Sequence, residues 1–431
     1  MSRSRQQVLE IQPTSGLTAS QIRLPGSKYI ANRVLPLCAM AVSPSRLTNV
    51  VSNNDIKAAI EGLSGLGYQL KLESDHLVIQ PRASKPDSQV CIDTAHSGTF
   101  SRFVTAIAAL ETVDVRISCS DKMATRPMRE LFDSLQQLGV SIESPNGRLP
   151  AVIKGPIANS VCQLDSRRSS QYVSALLMVA PLTELGIEIQ MPSKGVSNSY
   201  IEMTLDWMRK LGISIDKTMR GYRVKGGQSY QGITAELPGD AVSASYFMGL
   251  VGIVGGQLRI QSFDFASKQG EAKFYHLLEK MGMSFKRDNQ DLIVSCEQGL
   301  KSIEVDMSEM PDVVQTLAVM ASYAEGTTRI NNIGHLAFKE SNRIKDTACE
   351  LRKAGIQVED GEDYLVIQGG QPKGATIETY DDHRMAMSMG LLGAKTSGIR
   401  IIDPDVVAKS FPSYWQLMAS CGLLSKKVDK S

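Results

Sequence analysis

An excess of either charge is missing from this chain. Its 47 Lys and Arg stand against 45 Asp and Glu, a formal charge of +2, so no long-range field exists to wrap nucleic acid and any anion site must be local. The seven cysteines, Cys38, Cys91, Cys119, Cys162, Cys296, Cys349 and Cys421, form no CxxC pair and no zinc-ligand spacing beside histidine, which predicts reduced thiols and no metal. Apolar runs such as ALLMVAPL at 175–182 are too short to cross a bilayer, and MSRSRQQVLEIQP lacks the apolar stretch and cleavage site of a secretory signal. The expectation is a cytoplasmic protein with neither a membrane nor a nucleic-acid partner. GxxxxGKS, HExxH and GxSxG are absent as well, leaving an ATPase, zinc protease or serine hydrolase without support.

What is present is apolar substance and a repeat. Hydrophobic residues make up 42% of the 431 and charged ones 21%, which suits large cores and about two domains. An amphipathic helix ending near Leu-Gly and followed by alternating, strand-like residues recurs six times, as in LFDSLQQLGVSIES at 131–144 and TLDWMRKLGISID at 204–216. Gly67, Gly139, Gly212, Gly282, Gly355 and Gly422 close the six helices at separations of 72, 73, 70, 73 and 67. The last copy, YWQLMASCGLL at 414–424, is shortened. Glycine suits a left-handed cap that stops a helix and turns it toward a strand. Strands alternating with helices predict an α/β class, with three units of about 70 residues in each of two domains and mixed sheets. The expected domains are 22–239 and 1–21 plus 240–431, with a crossover at ELPGDAVS.

Polar islands precede several apolar helices. LPGSKYIANR places Lys28 just after a Pro-Gly turn and Arg33 five positions on; if a helix opens there, its unpaired N–H groups add to the ammonium charge in holding an anion. Ser97, Gly98 and Thr99 open TAHSGTFSRFVTAIAAL, where small residues let a ligand approach the backbone, or simply cap the helix. Arg126 stands before Pro127, a residue expected in a first helical turn. Ser169, Ser170 and Gln171 offer hydroxyl and amide donors, while PGDAVSASYF reads as close helix packing. Asp312 follows Pro311 as an acidic first-turn residue would. FKESNRIKD sets Lys339, Glu340 and Arg343 in one helical neighbourhood. TYDDHRMAM puts Asp381, Asp382, His383 and Arg384 before a Met-rich run that reads as core. Cations at helix starts with few carboxylates suit a substrate carrying phosphate and carboxylate groups.

In these motifs the sequence resembles the enolpyruvyl transferases, and within them the branch whose acceptor is shikimate 3-phosphate. LPGSKYIANR, HSGTFSR, TRPM, SSQYVSALLM, GDAVSASYF, MPDVVQTLA, FKESNR, DDHRMAM and AKSFPSYW occur in family order over almost the whole chain. The resemblance implies two inside-out α/β barrels with a site in the cleft between them. It also implies transfer of the enolpyruvyl group of phosphoenolpyruvate to the 5-hydroxyl of shikimate 3-phosphate, with no cofactor or metal, by a monomer. By resemblance Lys28, Gly98, Arg126, Gln171, Arg343, Arg384 and Lys409 bind phosphoenolpyruvate. Lys28, Tyr29, Arg33, Ser169, Ser170, Gln171, Ser197, Tyr200, Asp312, His335 and Lys339 meet the acceptor. Asp312, Glu340, Lys28, His383 and Lys409 are the candidate catalytic groups, Asp312 as the base that takes the acceptor proton.

The departures fall mostly on the acceptor side. Tyr29 replaces a serine, His335 an asparagine and Ala337 an arginine, and Asn342 stands where an aspartate is common. Phe100 and Phe103 enlarge side chains near the expected donor pocket. These changes keep open a transferase for a different, phosphorylated acceptor, and a catalytically silent anion-binding or scaffold protein is the alternative from another class. A relative acting on UDP-N-acetylglucosamine uses a loop cysteine where this chain has Asp121, with Cys119 close by.

Overall fold

The computed structural model describes residues 7–73, 76–192 and 197–428. The chain divides into one compact unit of Gly26–Leu237 and another that joins the residues up to Pro25 to those from Pro238 onward. Each contains three copies of one arrangement, an inner helix, an outer helix and a four-stranded sheet.

In the Gly26–Leu237 unit the α-helices longer than four residues are α1 (Lys28–Ala39), α2 (Asn54–Gly65), α3 (Gly98–Ala108), α4 (Arg129–Gln137), α5 (Gln171–Val179) and α6 (Asn198–Lys210). The other unit has α7 (Ala241–Val254), α8 (Phe274–Lys280), α9 (Val314–Ala321), α10 (Arg343–Lys353), α11 (His383–Gly390) and α12 (Tyr414–Ser420). The even-numbered helices are those the glycine repeat predicts. All six glycines have positive φ, from +78° at Gly355 to +103° at Gly422. After each, the next N–H reaches back to a carbonyl five residues earlier, as from Tyr68 to Leu63, Val140 to Leu135 and Ile356 to Leu351. Both residues of each pair are buried and apolar, so the cap hydrogen bond and a hydrophobic contact end the helix together.

The odd-numbered helices are buried nearly all round, as interior helices are. In α1, α3 and α5 the residues that are not buried are Lys28, Tyr29, Thr99 and Gln171, all in the first two positions of their helices. Small residues make close packing possible. A Cβ on Gly62 of α2 would lie 2.6 Å from the Phe100 ring, and one on Gly249 of α7 would lie 2.9 Å from Leu391. Phe100 and Phe103, the enlarged side chains expected near the donor pocket, are buried in this core. Full burial of such a side chain stabilises by about 1.5–3 kcal/mol.

Every sheet is mixed. In the second copy the strands run 90–93, 115–118, 151–154 and 141–143, with the first pair parallel and the others antiparallel. Three sheets borrow strands from distant sequence. Strand 234–236 joins the first sheet beside 45–48, and 21–23 joins the fourth beside 256–261. In the sixth, Val8–Ile11 is antiparallel to both 400–402 and 425–428, supplying the strand that the shortened last copy lacks. Among the described residues no helix is long and apolar enough to cross a membrane, and no group of three or more His, Cys, Asp or Glu could hold a metal ion.

Candidate active-site residues

In the Gly26–Leu237 unit the sequence-predicted residues gather at the N-terminal ends of α1, α3, α5 and α6. Gly26 allows the chain to pass Asn49, whose carbonyl oxygen would lie 1.8 Å from an added Cβ. Ser27 then caps α1 through the N–H of Ile30. Lys28 follows, its Nζ 3.7 Å from Asp55 of α2 and 5.4 Å from the centre of the Tyr29 ring. Tyr29 in turn packs on Tyr200, ring centres 5.4 Å apart.

Arg33 lies one turn further along α1 and is 1% exposed. Its Nε donates to Thr204 Oγ1 at 2.8 Å and its Nη1 to the Tyr29 carbonyl at 2.9 Å, while the rings of Phe103 and Tyr200 flank it at 5.6 and 5.5 Å. Among the described residues it has no carboxylate in ion-pair contact, and burial pulls its pKa down to about 10. It remains a cation at neutral pH, a buried charge held by neutral groups and suited to an anionic ligand.

A second group forms around Gly98. Arg102 Nη1 donates to the Gly98 carbonyl, and a Cβ on Gly98 would fall 2.2 Å from Arg126 Nη1. Gln171 Nε2 donates to Thr99 Oγ1 at 3.0 Å, joining α5 to α3. Ser169 Oγ accepts from the N–H of Gln171, and Ser170 is the buried residue at the cap of α5. Ser197 begins α6 with φ at +53° and Tyr200 lies in its first turn; a left-handed serine is a strained placement of the kind that concentrates at functional sites. Pro127 differs from expectation. Helix α4 starts only at Arg129, and the Pro127 carbonyl instead accepts from Arg102 and from the Tyr172 hydroxyl.

The other unit builds a charged network around Asp312 and Arg343. Asp312 lies in a 3-10 turn, Pro311–Val313, ahead of α9. Arg343 is the first residue of α10, which Asn342 caps through the N–H of Lys345; asparagine caps as well as the more common aspartate. Lys339 and Glu340 therefore precede the helix rather than share it, because the cap sets its start. Arg343 is 1% exposed and meets three carboxylates, Asp382 at 2.8 Å, Glu340 at 2.8 Å and Asp312 at 2.9 Å. Burial opposes its charge, but Asp382, Glu340 and Asp312 more than offset this and raise its pKa above the ordinary arginine value.

Lys409 Nζ reaches the other oxygen of Glu340 at 3.1 Å. Asp382 caps α11 through the N–H of Arg384, and His383 beside it is buried, its Nδ1 3.7 Å from Asp382. Arg384 donates to the Asp312 carbonyl at 3.0 Å and the Tyr246 hydroxyl at 3.2 Å, and pairs with the Asp312 carboxylate at 3.1 Å. Burial pulls its pKa down to about 9; the contact with Asp312 works in the opposite direction, and the group is a cation at neutral pH. His335 occupies a 3-10 turn, Gly334–Phe338, just before Lys339. Burial, then the charge of Lys339, lower its pKa to about 4 against the opposing pull of Asp312, so the imidazole is neutral at pH 7.

Sequence reasoning passes over Arg102 and Asp55. Arg102 lies inside the HSGTFSR motif and is within reach of it; Asp55 carries no local signal. Cys119 is half-buried, and burial followed by the charges of Asp93 and Asp121 pushes its thiol up to about 11, which leaves little thiolate at neutral pH.

The sequence model of the EPSP synthase (3-phosphoshikimate 1-carboxyvinyltransferase) family matches residues 11–418. The 3-phosphoshikimate 1-carboxyvinyltransferase of Yersinia pseudotuberculosis is 36% identical over 427 residues, covering 97% of this chain and 99% of that protein. That of Proteus mirabilis is 36% identical over 422 residues, covering 96% and 98%. Among solved structures, EPSP synthase from Acinetobacter baumannii matches with a TM-score of 0.83 at 24% identity, covering 98% of this chain and 100% of that one. The enolpyruvyl transferase NikO from Streptomyces tendae gives 0.78 at 16% identity, covering 99% and 100%. At these identities the two structures speak for the fold alone.

Proposed function

The chain belongs to the EPSP synthase family, and we propose the following division of labour for the reaction it catalyses, transfer of the enolpyruvyl group of phosphoenolpyruvate to the 5-hydroxyl of shikimate 3-phosphate with release of phosphate. Phosphoenolpyruvate is bound by Lys28, Gly98, Arg126, Gln171, Arg343, Arg384 and Lys409. Shikimate 3-phosphate is met by Lys28, Tyr29, Arg33, Ser169, Ser170, Gln171, Ser197, Tyr200, Asp312, His335 and Lys339. Segment 22–239 thus contributes much of the acceptor set, and 1–21 with 240–431 contributes donor-binding arginines and lysine. Each unit is an inside-out α/β barrel, a reading supported by its buried odd-numbered helices and by sheets with exposed positions. The protein works as a cytoplasmic monomer, as family resemblance implies.

The acceptor oxygen attacks C2 of phosphoenolpyruvate while Asp312 takes its proton; each Asp312 oxygen has a second lone pair beyond its contact with an arginine. A proton from Glu340 or Lys28 converts the C3 methylene to a methyl group, giving a tetrahedral phospho-ketal. Return of a C3 proton to the group that supplied it then re-forms the double bond as the bond from C2 to the phosphate oxygen breaks and phosphate leaves, its charge held by arginine and lysine. His383 and Lys409 act beside this exchange, Lys409 through Glu340.

The observation that carries the reading is the placing of Lys28, Tyr29, Thr99 and Gln171, the unburied first residues of otherwise buried helices. The test is phosphate release from phosphoenolpyruvate by the purified protein, with and without shikimate 3-phosphate, and the mass of the product. Acceptor-dependent release with formation of 5-enolpyruvylshikimate 3-phosphate is expected. Donor binding without such turnover would sink the assignment and favour another acceptor.

A further inference from the structure

Asp312 has four polar atoms, and each has a partner. Oδ1 meets Arg343 at 2.9 Å, Oδ2 meets Arg384 at 3.1 Å, and the carbonyl oxygen accepts from Arg384 at 3.0 Å. The backbone N–H donates to Oε1 of Glu271 at 3.2 Å, from 41 residues further along the chain. N–H groups in a first helical turn find no partner within the helix. The residue in the capping position here, Met310, makes no side-chain cap, so the acceptor comes from elsewhere. Glu271 lies in a 3-10 turn, Gly270–Lys273, and is 1% exposed.

A carboxylate is a costly group to bury, since its desolvation exceeds that of a neutral acceptor. Its effect is directional. The contacts from Arg343 and Arg384 involve the guanidinium groups that an anionic donor also engages. The contact from Glu271 is one for which such a substrate does not compete. It keeps the turn, and with it the direction of the Asp312 side chain, fixed while the arginines change partners.

We propose that Glu271 is a positioning residue for Asp312, holding its backbone so that the carboxylate meets the acceptor hydroxyl. The proposal rests on the reading of Asp312 as the group that takes the acceptor proton. Misplacing a reacting group by about 1 Å costs on the order of 100-fold in rate, so loss of this tether should be visible in kcat.

The experiment is a double-mutant cycle on acceptor-dependent turnover, with Glu271→Met and Asp312→Ala alone and together, and Glu271→Gln as the conservative variant that keeps an oxygen acceptor. Glu271→Met should lower kcat on the order of 10- to 100-fold, and Glu271→Gln should stay within about threefold of the parent. In the Asp312→Ala background Glu271→Met should cost less than about twofold further, because its effect passes through Asp312. A purely structural role would give the same loss in both backgrounds, and that result, or turnover of Glu271→Met within twofold of the parent, overturns the proposal. If Glu271→Met does not fold, Glu271→Asp retracts the acceptor by one methylene while retaining the charge, and the same cycle decides with it. If Asp312→Ala itself turns over like the parent, the reading of Asp312 as base falls, and this inference with it; a severe Asp312→Ala loss that adds to that of Glu271 removes only the positioning role.

Discussion

The guanidinium of Arg126 occupies the space that a side chain on Gly98 would need, Nη1 standing 2.2 Å from the site of a Cβ. Because the obstructing atoms are the end of a flexible side chain, Gly98→Ala should fold normally and displace the guanidinium. A misplaced charged hydrogen bond is worth about 1.5–3 kcal/mol. The expected result is a KM for phosphoenolpyruvate raised at least tenfold with the melting temperature nearly unchanged. Steady-state kinetics and calorimetry decide; an unchanged KM would mean that Arg126 does not hold the donor.

Arg343 is the shared counter-charge of Asp312, Glu340 and Asp382. Arg343→Met leaves these carboxylates facing one another in a largely buried place, and removal of one partner from a buried ionic group costs about 3–5 kcal/mol. Denaturant unfolding should show a loss of that size. Arg343→Lys should lie between, since one ammonium cannot reproduce the fork that bonds three carboxylates. A loss below about 1 kcal/mol in Arg343→Met would contradict the account.

His335 gives stability a defined dependence on pH. Its folded pKa of about 4 lies below the ordinary histidine value of about 6.5, so between those values the unfolded chain binds the proton and the folded protein resists it. Stability therefore falls as pH drops through that window, by up to about 3 kcal/mol from this group alone. His335→Asn should flatten that part of the curve, measured as unfolding free energy from pH 7 to pH 4. Identical slopes in parent and variant would exclude the histidine as the source.

Arg33 carries its charge without a carboxylate partner among the described residues, between two aromatic rings. Arg33→Met removes a desolvated cation and leaves an apolar side chain of similar reach. The folded protein should be no less stable in thermal unfolding, while KM for shikimate 3-phosphate should rise at least tenfold through loss of a charged contact worth about 1.5–3 kcal/mol. A clear drop in melting temperature with an unaltered KM would assign Arg33 to the fold instead of the acceptor.

Local chemistry made the repeat legible. Leu135, Gly139 and Val140 carry a helix end, a cap and its hydrophobic contact within six residues, so the pattern can be read without any knowledge of tertiary structure. Lys28, Gly98 and Gln171 were legible for a similar reason, standing at small or polar starts of apolar helices. What stayed hidden depends on distant pairing. Nothing near Val8 announces that its partners are Ile402 and Val428, and nothing near Glu271 announces the amide of Asp312. The burial of Phe100 is likewise set by a neighbour, Gly62, that its own motif does not contain. Lys339 and Glu340 sit at helical spacing from Arg343, but Asn342 starts the helix after them.

The place of Val8–Ile11 between strands 400–402 and 425–428 also bears on how the protein is made. A ribosome delivers the chain from its first residue to its last, and this sheet cannot be assembled until Val428 has emerged. Every strand of the Gly26–Leu237 unit is available long before that, including the late strand 234–236 that joins its first sheet. Synthesis therefore gives the enclosed unit a head start in folding as an independent body. Strand Val8–Ile11, although translated before every strand of that unit, must wait for strand 425–428 to complete its pairing.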